Sequence, residues 1–178
     1  MQEISGCPAV MCLGAALASP AGAQLLTEKA LPAETAITIA RTALETCTKE
    51  GYHVSVHVLG RNGEVLVAVR GDGAPPHTME NSQRKAYTAR TFRMSSGEFA
   101  QRVKDNPTLS AVHLTGVIAA QGALPIKVGD DAIGAVGVSG APGGEKGGAA
   151  CQPRTTRPWS GGGSAMSTLE TSVSWRNT

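Results

Sequence analysis

The sequence predicts a single α+β domain in which an antiparallel sheet is covered by helices. The elements run helix, hairpin, two helices, hairpin, and clustered strands flanked by helices fit that class. Both strand pairs are joined by turns of a few residues, which require antiparallel pairing. The chain has 178 residues, enough for one substantial core and too few for two domains of ordinary size.

The opening segment, residues 1–23, has an apolar centre from Ala9 to Ala18 followed by Ala21-Gly22-Ala23, the pattern of an exported protein's cleavage site. Cleavage before Gln24 leaves 178 − 23 = 155 residues and a periplasmic or secreted protein. No Lys or Arg precedes the apolar run, so a disordered Ala-rich terminus is the competing reading. The run is shorter than the roughly 20 residues that cross a bilayer, so no membrane contact is expected after processing. Cys7 and Cys12 would leave with the signal. Of the remaining pair, an oxidising compartment permits a Cys47–Cys151 bridge, yet Cys47 on an apolar helix face reads more simply as a buried free thiol.

The first helix starts near Pro32 and stops before Gly51, with Ile37, Ala40, Leu44 and Cys47 forming its apolar stripe. A hairpin follows, turned at Asn62-Gly63, where positive φ angles are easily reached. In its first strand His53, Ser55 and His57 share one face and Val54, Val56 and Val58 the other. At roughly 3.3 Å per residue the two histidines are about 13 Å apart, too far to share a metal, so a polar strand face under a helix or subunit contact is the simpler role. Residues 78–91 read as a helix packing through Met79, Ala86 and Ala89. A shorter helix capped by Ser95 or Ser96 carries Phe99 and Val103 inward. A short helix near residues 109–114 and a bend at Gln121-Gly122 follow, then strands at residues 124–128 and 132–139 joined through Gly129-Asp130-Asp131.

A net charge of +2 and only 3% aromatic residues give neither a basic footprint nor stacking platforms, so nucleic acid is not expected as a partner. Gly134, Gly137 and Gly140 recur every third residue, but no Gly-Lys-Ser/Thr follows, and the spacing differs from a dinucleotide loop. Glycines inside a strand mark close backbone approach or a bulge instead.

In order along the chain, Arg70-Gly71-Asp72-Gly73-Ala74, Lys85-Ala86-Tyr87-Thr88-Ala89, Leu124-Pro125-Ile126 and the run from Ile133 to Gly140 form a specific set. With this set, residues 31–146 resemble the HbpS/GlcG-like family of haem-binding and haem-degradation-associated proteins. Gly60, where the family usually has aspartate, and Gln121-Gly122-Ala123, in place of a richer glycine run, depart from the pattern. The resemblance implies a profilin-like fold, a homo-oligomer, and a small-molecule ligand that in some members is haem or iron. The family would close with an amphipathic helix, whereas residues 147–178 carry glycine and proline without a helical stripe and read as a divergent, disordered tail.

Within that reading, His77 and Glu80 are the candidate metal ligands, three positions apart on one side of a helix that includes His77. The alternative is a capping, solvent-facing helix start. His113 or Thr115 is the candidate donor to haem iron, and Arg70 and Lys85 the candidate partners of its propionates. The competing roles are a hydrogen-bonded packing histidine and ion pairs with Asp72 or Glu80. No Cys-X-X-Cys-His motif occurs, so bound haem would be non-covalent. Two other functions stay open: an acid–base enzyme of glycolate- or diol-type metabolism built from Asp72, His77, Glu80 and His113, and a structural or sensory oligomer. No Gly-X-Ser-X-Gly elbow is present to supply a nucleophile.

Overall fold

The computed structural model describes residues 26–141; the expected signal at residues 1–23, the tail expected beyond Lys146, and Cys7, Cys12 and Cys151 lie outside the described residues. The chain forms α1 (Ala33–Lys49), β1 (Ser55–Leu59), β2 (Val65–Arg70), α2 (His77–Phe92), α3 (Ser96–Asp105), a single 3-10 turn at Ser110–His113, β3 (Ala123–Val128) and β4 (Asp131–Ser139). The fold is α+β, and the four strands lie in the order β2-β1-β4-β3 with every neighbouring pair antiparallel.

Strand alternation assigns the two faces. Val54, Val56, Val58, Val136 and Val138 turn to α1 and form the larger apolar core with Ala36, Ile39, Ala40, Ala43 and Cys47. On the other face Leu59, Ala123 and Ala135 meet Ala86 and Ala89 of α2. The α1 stripe is rotated from the expected one: Ile37 is 46% exposed, whereas Ala36 and Ala43 are fully buried. Alanines let this helix settle close to the valine face, so small residues rather than the bulkier Ile37 mark the contact. Cys47 is buried as expected but is a disulfide cysteine, which replaces the free-thiol reading.

The α2 face of β1 is polar and is resolved by paired side chains. Thr78 donates to the Pro75 carbonyl at 2.6 Å, so the Ser55 hydroxyl donates to Thr78 at 2.7 Å. Ser82 likewise donates to Met79 O at 3.0 Å, which assigns the proton to His57 Nδ1 in its 2.8 Å bond to Ser82. All four side chains are buried. The polar strand face under a helix is therefore the role His57 fills, whereas exposed His53 bonds the Asp72 carbonyl through Nδ1 at 2.7 Å.

Close approach brings α2 onto β4. A Cβ on Gly137 would lie 2.2 Å from Ser82 O, so only glycine lets the helix backbone rest there. Ser95 caps α3 in a reciprocal capping box with Glu98, and Phe99 is buried against Phe92 with ring centroids 4.4 Å apart. β3 forms one edge of the sheet, where Pro125, lacking an N–H, is tolerated.

Candidate ligand site

α2 carries most of the residues singled out for chemistry. It begins at His77, so His77 and Glu80 do share one side of its first turn, and both are exposed. Glu80 pairs with Arg84 at 3.3 Å. Among the described residues no group of three or more His, Cys, Asp or Glu side chains gathers as a metal site, so these two stand as a pair.

Arg84 links α2 to the segment after the 3-10 turn by donating to the Val117 carbonyl at 3.0 Å. One turn on, Thr88 Oγ1 accepts from the Ile118 amide at 2.9 Å. Gly116, with φ +82, sits beside the Tyr87 ring. These contacts lay residues 116–118 along α2, and just before them His113 and Thr115 are exposed. Val117 is buried, whereas Leu114 is 55% exposed. Sequence reasoning overlooked Arg84, although the Glu-to-Arg spacing of four residues was visible there.

Lys85 projects from a neighbouring azimuth of α2 toward the start of β3. Its Nζ donates to the Val138 carbonyl at 3.4 Å, and a Cβ on Gly122 would lie 3.1 Å from that nitrogen. No carboxylate among the described residues pairs with Lys85. Burial alone lowers its pKa, since the charged form loses hydration with little in return. Arg70 is placed differently. It lies on β2, at the opposite sheet edge from β3, and its Nε and Nη2 both donate to Ala74 O, at 2.8 and 2.6 Å. Its guanidinium shapes the loop leading into α2. The structure therefore sets His77 and Glu80 on the exposed first turn of α2, Lys85 toward Gly122 and Val138, and His113 and Thr115 just before the segment that Arg84 and Thr88 hold, with Arg70 apart.

The family model described as haem degrading protein HbpS-like matches residues 31–151. The crystal structure of HbpS is 36% identical, covering 74% of this chain and 96% of that one with a TM-score of 0.67. A double mutant of Streptomyces reticuli HbpS is 35% identical over 76% of this chain and 96% of that one, with a TM-score of 0.67. The haem complex of PduOC is 22% identical over 59% of this chain and 78% of that one, and its TM-score of 0.55 marks a shared fold. No individual curated protein sequence gives a significant match.

Proposed function

The chain belongs to the HbpS-like family, and from that premise we propose that it binds haem non-covalently, or iron, as an exported homo-oligomer. The family's description as haem-degrading and the haem complex on the same fold support a porphyrin ligand. The observation that carries the reading here is Lys85, a half-buried ammonium beside Gly122 with only a long contact to the Val138 carbonyl. Such a cation suits a propionate, which would supply the missing charge and a stronger hydrogen bond.

The donor set fits haem better than free iron. His77 and Glu80 offer two donors, which leave most of an iron's coordination sphere to other groups. Haem brings four nitrogens of its own and asks the protein for one or two axial donors, a role open to exposed His113 or Thr115. Bound haem would contribute a redox-active iron; Lys85 would hold a propionate and His113 or Thr115 would donate to the iron.

Titrating haemin into the apo-protein while following the Soret band tests this. Saturable binding that weakens in Lys85→Met, and changes its spectrum in either His113→Ala or Thr115→Ala, is expected. Equal, non-saturating uptake by all variants would refute it. N-terminal sequencing from the native host tests cleavage before Gln24, and light scattering tests the oligomer.

A further inference from the structure

The far end of α2 presents a second group of cations. Among the described residues Arg90 Nε is the only buried side-chain nitrogen or oxygen without a hydrogen-bond partner. A buried guanidinium nitrogen in that condition costs stability unless something accepts its proton. Arg90 follows Tyr87 by three residues, and Tyr87 packs beside Gly63, so Arg90 shares the helix face turned to the β1–β2 turn. Arg61 from that turn and Arg93 at the helix end both raise the positive potential around it.

Asp131 and Glu64 also act on Arg90, but neither is ion-paired with it. Asp131 accepts from two nitrogens of Arg61, Glu64 accepts from the Asn62 amide at 2.8 Å, and Glu28 faces Arg61 at 3.9 Å. Lys29, near Asp131, adds another cation. Among the described residues neither Arg90 nor Arg93 is ion-paired.

Arg93 adds an independent sign. It is the only non-glycine among the described residues with positive φ, 56°, and it occupies the left-handed cap that glycine usually fills. Backbone strain retained at such a position points to a use for the side chain.

We propose that Arg90 and Arg93 bind a small oxyanion. Two unmatched guanidinium groups favour a doubly charged, phosphate-type group over a monocarboxylate. Arg90 lies five residues beyond Lys85, about 7.5 Å along the helix and roughly 140° around it, so this site faces a different side of α2 from the haem reading and stands without it.

Thermal melts of the full chain in inorganic phosphate, acetate and chloride at matched ionic strength and pH test it. A saturable rise in Tm with phosphate, larger than with acetate and absent with chloride, is expected. Arg90→Met should weaken apparent phosphate affinity at least about tenfold, as loss of a charge-assisted hydrogen bond implies. Arg93→Gly should melt higher than wild type without phosphate, because the left-handed strain is relieved, and should lose most of the phosphate increment. That pairing separates lost binding from lost folding. A phosphate shift no larger than the chloride control, or one retained in full by both variants, would overturn the site; an acetate shift equal to that of phosphate would overturn the preference for a dianion.

Discussion

Replacing Gly137 with alanine drives a methyl group into the backbone of α2. The new Cβ would lie 2.2 Å from Ser82 O, 2.8 Å from Ala86 N and 2.9 Å from Ala86 Cβ. Non-bonded carbon contacts are comfortable near about 3.5 Å, so the helix must move away from β4 by roughly an ångström. Overpacking a core costs about 1–3 kcal/mol where side chains can yield, and here two of the three atoms are backbone, which puts the cost at the upper end. Lifting α2 also stretches the 2.8 Å bond between His57 and Ser82, worth about another 1 kcal/mol. The expected loss is about 3–4 kcal/mol, a large share of the roughly 5–15 kcal/mol that holds a domain together. Urea denaturation measures it as a lower midpoint at unchanged m-value. Gly129→Ala is the control: its φ is +64 and nothing lies within 4 Å of an added Cβ, so only the left-handed backbone penalty of about 1 kcal/mol applies. Gly137→Ala within about 1 kcal/mol of wild type, or Gly129→Ala equally costly, would refute the close-approach account.

Burial lowers the His57 pKa below its ordinary value, so the unfolded chain takes up that proton first. Stability should therefore hold above the ordinary histidine range and fall as pH drops through about 6.5 toward the lower folded pKa, a slope that His57→Gln should flatten in denaturation runs at pH 7.5 and 5.5. Ser95→Ala removes the side-chain half of the α3 capping box and should cost about 1 kcal/mol by the same assay, whereas Ser96→Ala takes the 2.9 Å acceptor from the buried Ala123 amide and should cost about 1–3 kcal/mol.

The fold was legible because its local signals agreed. Pro32 and Gly51 bracket α1, Gly63 takes φ +82 in the turn, and Ser95 with Glu98 starts α3. The error at Ile37 came from scoring apolar bulk when the contact is built on alanine, a residue that counts little in a periodicity pattern. The polar underside of α2 was half legible: the strand showed Ser55 and His57 on one face, but pairing each with a hydroxyl 23 or 25 residues away is set by tertiary packing. For the candidate site, the i, i+3 placement of His77 and Glu80 followed from helical geometry alone. Arg70 was misleading because its partner, the Ala74 carbonyl, is a backbone atom that no residue pattern announces. Arg90 gave no sequence signal, since an orphaned nitrogen exists only once the chain is folded.

The two hydroxyl-centred pairs beneath α2 have a mechanical meaning. Greasy interfaces tolerate sliding, because one methyl replaces another at small cost. Ser55 with Thr78 and His57 with Ser82 engage one turn apart along α2 and two residues apart along β1, like two pins through a plate. Shifting the helix by a turn, about 5.4 Å, would unseat both pins at once and leave four polar groups dry. α2 is thereby indexed to the sheet in both translation and rotation, and whatever docks along it meets a fixed rail rather than a floating helix.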